Sequence, residues 1–203
     1  KKILGIGETV EAIMQGVKTM ISTIVILILA WSLALVAEQI HTAEFITQIL
    51  GDTIPYFLIP ALTFVLAAAV AFSTGSSWGT MAILYPIMIP ATWTIAKVAG
   101  VEEPMALELL YNTVSCVLAG SVLGDHCSPI SDTTILSSLS TSCNHINHVR
   151  TQLPYALIVG AVAILIGTIP GALGVSSFIT IPVGFGVLFL IVKFLGKKVV
   201  EVT

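Results

Sequence analysis

The chain has 203 residues, 56% of them hydrophobic and only 9% charged, with a net charge of −3 and a mean hydropathy of +1.04. A soluble domain carries roughly 25% charged residues. Too few charges remain here to coat a water-facing surface, so the composition excludes a soluble globular fold and points to an all-α polytopic membrane protein. There is no basic patch for nucleic acid, and three cysteines at irregular spacing make no disulfide framework.

Residues 1–19 place Ile6, Val10, Ile13, Met14 and Val17 at helical spacing, with Glu8, Glu11 and Lys18 off that stripe. They read as an amphipathic, interfacial lead-in. The transmembrane domain is expected over 20–196, beginning with a span at about 20–40, since a bilayer core needs about 20 apolar residues. Lys1, Lys2 and Lys18 precede that span, whereas Glu38, His41, Glu44 and Asp52 follow it without a Lys or Arg. The positive-inside rule therefore sets the start of the chain in the cytoplasm and the loop at 41–53 outside.

The apolar block at 54–96 is interrupted at 73–80, where two glycines and five hydroxyls fall in eight residues, and Pro86 and Pro90 follow. It is either one broken crossing or a hairpin. The block at 104–143 carries Glu108, Asn112 and Ser115 on one helix face and is interrupted at 124–134. Two further spans are expected at about 154–173 and 178–195. Lys193, Lys197 and Lys198 close the chain and set a tail at 197–203 in the cytoplasm, so both ends face that side.

The stretch Gly124-Asp-His-Cys-Ser-Pro-Ile-Ser-Asp-Thr-Thr134 puts two carboxylates, one imidazole and four hydroxyls into eleven residues. An ionisable group at membrane depth costs at least about 2.5–3.5 kcal/mol and marks function by default. Irregular backbone at that depth is tolerated only inside protein or beside a wet cavity, and paired interruptions in a transporter point to its binding site. Asp125 and Asp132 are the candidate sodium ligands. A hard cation takes oxygen donors, and Ser128, Ser131, Thr133, Thr134, Ser73, Thr74, Ser76, Ser77 and Thr80 supply them. A carboxylate carries either a cation or a proton, and burial disfavours its charged form.

The plainer alternatives are that one Asp caps the helix starting near Thr133 and that the hydroxyls bond back to helical carbonyls. His126 either relays protons or packs with a satisfied nitrogen. Glu108 and Asn112 either line the pathway or bridge helices. Cys127, Cys143, His145 and His148 form a possible zinc set, but they lack the close cysteine pair of a zinc finger. Asp125, His126 and Ser128 do not make a hydrolase triad, because neighbours on one turn do not point at one another. No enzymatic activity and no cofactor is expected.

The strings Ser-Thr-Gly-Ser-Ser-Trp-Gly-Thr at 73–80 and Gly-Asp-His-Cys-Ser-Pro-Ile-Ser-Asp-Thr-Thr-Ile-Leu-Ser-Ser at 124–138, followed by His148-Val-Arg-Thr-Gln-Leu-Pro-Tyr155, resemble the NhaC-type sodium/proton antiporter family. The likeness runs from about Val10 to Gly174 and corresponds to the C-terminal half of such a transporter. It implies secondary active exchange of sodium for protons across a bacterial inner membrane, with some relatives exchanging carboxylic or amino acids. It also implies an ion-transporter-type fold of inverted repeats with broken helices and re-entrant hairpins, of which this chain is one half. The expected partners are the lipid bilayer, sodium, protons, and the missing N-terminal half or a second chain.

Overall fold

The computed structural model describes residues 5–42, 45 and 54–196; the tail at 197–203 and most of the loop at 43–53 lie outside them. Every regular element among the described residues is helical. Helix α1 (Ile6–Gln39) runs unbroken for 34 residues, so the amphipathic lead-in continues directly into the first apolar stretch.

A single 3-10 turn at Tyr56–Leu58 leads into α2 (Ile59–Thr74), and only Gly75 and Ser76 separate it from α3 (Ser77–Val98). Gly75 terminates α2 in the left-handed conformation, at φ 68°, which costs glycine no Cβ clash. Ser76 then opens α3, its hydroxyl accepting the Gly79 N–H at 3.1 Å. A glycine stop followed at once by a serine cap reverses the chain. The block at 54–96 is thus a helical hairpin.

Helix α4 (Glu103–Cys127) has Pro104 in its first turn, where a missing N–H costs nothing. It fills the groove between the two arms of the hairpin. Its Gly120 and Gly124 face the Phe64 and Ala68 carbonyls of α2, a register that makes these two helices parallel. Against α3 it runs the other way: Asp125 meets Ser77, Val117 packs with Met81 and Leu84, and Thr113 meets Thr92. Ala67, Met81, Leu84 and Val117 form the upper core. Ala96, Ala106, Leu109 and Ala172, flanked by Tyr56, Phe57 and Trp93, form the lower one.

Ser128 and Pro129 end α4, because proline cannot donate to the helix and restricts the residue before it. The short α5 (Asp132–Ser140) starts from a Ser131 cap. Helix α6 (His145–Val162), capped by Asn144, continues through a π-helical segment at Ala163–Thr168 into α7 (Ile169–Ala172). Helix α8 (Ser177–Leu195), capped by Ser176, turns back along the π segment.

Among the described residues, five helical stretches are long and apolar enough to cross a membrane: Tyr56–Thr74, Ser77–Val98, Glu103–Cys127, His145–Ala172 and Ser177–Phe194. The protein is an all-α, multi-pass membrane protein, as its composition implied.

The α2–α4 contact rests on two missing side chains. A Cβ at Gly124 would overlap the Ala68 carbonyl oxygen, whereas one at Gly186 on α8 meets nothing within 4 Å. Gly124→Ala in the full-length protein is expected to lose about 1–3 kcal/mol by overpacking. Gly186→Ala stays within about 1 kcal/mol of wild type. Thermal unfolding in detergent checks both, and equal melting temperatures would contradict the packing assignment.

Candidate functional site

The tip of the α2–α3 hairpin meets the interruption between α4 and α5. Two helices end here and two begin, so carbonyls without helical partners and N–H groups without helical partners are gathered in one place. Ser128, wholly buried, donates its hydroxyl to the Phe72 carbonyl at 2.7 Å and accepts the Ile130 N–H at 3.3 Å. Gly75 lies so close to Ile130 that a Cβ would stand 2.9 Å from its carbonyl oxygen. Each break therefore supports the other, backbone against backbone. The His126 carbonyl, in the last turn of α4, accepts from the Thr134 hydroxyl and the Gln152 amide, both at 3.1 Å.

Asp125 lies inside this junction, 9% exposed. One carboxylate oxygen accepts the Ser131 hydroxyl at 2.7 Å and the other accepts the Ser77 hydroxyl at 3.3 Å. Ser131 is itself fully buried; it caps α5 through the Thr133 N–H at 3.2 Å and lies 2.7 Å from the Thr133 hydroxyl. Among the described residues no Lys, Arg or His pairs with Asp125; its partners are these two neutral hydroxyls. A buried ion loses several kcal/mol of hydration, and hydroxyl donors return only part of that.

The other candidates are distributed around this centre. Ser73 and Thr74 are exposed and donate to the Ala69 and Val70 carbonyls of their own helix. Ser76 is the α3 cap, and buried Thr80 donates back to the Ser76 carbonyl at 2.9 Å. Asp132 is the exposed first residue of α5, beside exposed Thr133; the cap is Ser131. His126 is exposed beside a surface depression that it shares with His148, Gln152 and Tyr155. Residues adjacent on a helix are about 100° apart, so its ring leaves α4 in a different direction from Asp125.

Glu108 and Asn112 lie roughly 20–25 Å back along α4 from Asp125, at 1.5 Å per residue. They line a separate cavity of about 790 Å³ between α4, the π segment and α8. Asn112 also bridges helices, donating to the Thr168 carbonyl at 2.9 Å; a π-helical turn shifts the hydrogen-bond ladder and leaves such carbonyls for side chains. Among the described residues no three His, Cys, Asp or Glu side chains are placed to hold a metal ion. Cys127 donates to the Leu123 carbonyl, and Cys143 is exposed.

Two residues matter more than their sequence context suggests. His145 stands with one ring nitrogen 2.7 Å from the Pro129 carbonyl and the other 3.1 Å from the Ser138 hydroxyl. It thereby ties the start of α6 to the interruption. Nothing local announces this, because the partners are 16 and 7 residues away. Ser121 is fully buried and its hydroxyl has no partner among the described residues; its spacing of four from Asp125 is the signal that could have found it.

The profile of the Na+/H+ antiporter family matches residues 2–171. The chain belongs to the Na+/H+ antiporter family. It is 44% identical over 166 residues, or 82% of its length, to a protein of Haemophilus influenzae whose function is undescribed. It is 31% identical over 60% of its length to the arginine/ornithine antiporter ArcD of Halobacterium salinarum. To the malate-2H(+)/Na(+)-lactate antiporter of Bacillus subtilis it is 26% identical over 62%. The matched segments span 30%, 25% and 27% of these relatives. No solved structure matches. Family membership groups the chain with antiporters, a class of membrane transporters.

Gly75 and Gly100 test the junction as a matched pair. Both have positive φ, 68° and 69°, but only Gly75 has a neighbour within reach of a Cβ. Gly100→Ala carries the conformational cost alone, about 1–2 kcal/mol. Gly75→Ala adds displacement of the Ile130 carbonyl and is expected to lower the melting temperature further and to reduce transport. Indistinguishable variants would show that the two breaks do not depend on each other.

Proposed function

We propose that the protein is a secondary active antiporter of the NhaC type, exchanging sodium for protons across the cytoplasmic membrane, with Asp125 shared between the two ions. The observation that supports this most is a buried carboxylate that, among the described residues, is held by hydroxyls alone at the meeting point of two chain breaks. Deprotonated, Asp125 would bind sodium, with Ser77 and Ser131 turning lone pairs toward the ion. When a proton arrives on the carboxylate, its charge is lost and sodium leaves. The two ions cannot occupy the group together, so movement of one is tied to return of the other. Asp132 and Thr133, exposed on this chain, would face the remainder of a longer transporter or a second chain that completes the site.

The proposed orientation follows from charge and parity. With Lys18 on the cytoplasmic side, α1 leads outward. The hairpin contributes two crossings or, if it dips in and returns, none. Either way α4 leads inward, α6 outward and α8 inward. Arg150 and Lys193 then both belong to the cytoplasmic side, as the positive-inside rule favours.

A second reading is exchange of a small carboxylic or amino acid, coupled to sodium or protons. It is favoured by the names of the two relatives, which act on arginine and ornithine, and on malate and lactate. A substrate carboxylate would be drawn to a helix N-terminus such as that of α3 or α5. Uptake of labelled arginine, malate and lactate by cells carrying the full-length protein separates it from sodium/proton exchange.

Everted vesicles carrying the full-length protein test the main proposal. Sodium is expected to release protons in wild type, and Asp125→Asn to fall to the level of vesicles lacking the protein. The apparent KM for sodium should rise as pH falls, because protons then hold the shared carboxylate more of the time. Wild-type activity in Asp125→Asn would overturn the assignment.

A further inference from the structure

We infer that Ser121 is a direct oxygen ligand of the cation that Asp125 binds, an inference that rests on the shared-carboxylate function proposed above. The observation behind it is an orphan. Ser121 is 0% exposed, and among the described residues its Oγ has no hydrogen-bond partner. Serine and threonine inside helices ordinarily return their hydroxyl to the carbonyl four residues back. On this same helix Thr113 and Ser115 do so, each at 2.9 Å. Ser121 does not, although such an orphan costs as much as a lost hydrogen bond. A buried hydroxyl left free in this way needs a reason, and an ion supplies one.

The position of Ser121 points to which ion site it serves. It lies four residues before Asp125 and four after Val117, on one stripe of α4. Val117 packs between the arms of the hairpin against Ala67, Met81 and Leu84, while Asp125 meets Ser77 at the hairpin tip. Ser121 therefore faces the same groove, between the apolar core and the carboxylate. The Asp125 carboxylate, held by Ser77 and Ser131, lies about one helical turn beyond Ser121. Positions four apart have Cβ atoms about 5–6 Å apart. No hydrogen bond joins the two residues, yet that separation suits a hard cation bound to both, with metal–oxygen distances of about 2.3–2.6 Å. The site would comprise Asp125 and Ser121 from α4, Ser77 from α3 and Ser131 from the interruption.

The test is sodium-dependent proton release at fixed pH by full-length Ser121→Ala, Ser121→Cys and Asp125→Asn. Removing a neutral ligand is expected to raise the KM for sodium about three- to tenfold in Ser121→Ala, with the maximal rate within about twofold of wild type. Ser121→Cys preserves the volume but offers a soft sulfur to a hard cation, so it should show the same KM shift. It also decides the matter if the alanine variant is poorly folded. A KM within twofold of wild type in Ser121→Cys overturns the inference, since the residue would then only fill space. If Asp125→Asn is inactive in that same experiment, the shared-carboxylate function stands without Ser121. If Asp125→Asn is active, that function fails and the ligand role falls with it.

Discussion

A helix that stops inside a membrane leaves carbonyls and N–H groups that lipid cannot satisfy. The fold of this chain is organised around that constraint. It stops two helices close together and lets each stop serve the other. Ser128, in the gap after α4, donates to Phe72, in the last turn of α2. Gly75, in the gap after α2, lies against Ile130, in the gap after α4. Neither interruption would be affordable alone. Gly120 and Gly124 make the pairing possible, because only a glycine face lets α4 approach α2 closely enough to bring the two ends level.

Once the ends are level, the electrostatics follow. The C-termini of α2 and α4 bring partly negative carbonyls, and the N-termini of α3 and α5 bring partly positive amides. Ser77 and Ser131 sit at those N-termini and both hydroxyls point at Asp125. The carboxylate is thereby fixed in place. Among the described residues no lysine or arginine reaches that point; hydroxyls orient the carboxylate instead. His145 secures the same junction from outside, through the Pro129 carbonyl.

Parts of this were legible from the residues. Composition alone assigns the membrane class, and the glycines, hydroxyls and prolines at 73–80 and 124–134 mark both interruptions. The string from Gly124 to Thr134 already singles out two aspartates, Asp125 and Asp132. The same residues do not separate Asp125 from Asp132, since both sit in the same motif at similar distance from a break. In the fold, one faces the hairpin and the other opens α5 toward the outside. Of the five hydroxyls at 73–80, only Ser77 reaches the carboxylate. Ser73, Thr74 and Thr80 bond within their own segment. The direction of a hydroxyl on a helix depends on what packs against that face, and a single string of residues does not contain that information.

The sequence by itself determined that the chain is a multi-pass helical membrane protein, where its helices break, and which family it belongs to. Those properties are local or additive: hydropathy sums along the chain, a glycine or proline acts at its own position, and a motif is read as written. Only the tertiary structure decided that the block at 54–96 is a hairpin, that its tip closes on a gap some 50 residues later, and that Asp125, Ser77 and Ser131 meet there. These depend on the register between α2, α3 and α4. That register is set by how glycine faces and apolar side chains fit together in space, a relation between distant residues that no local pattern encodes.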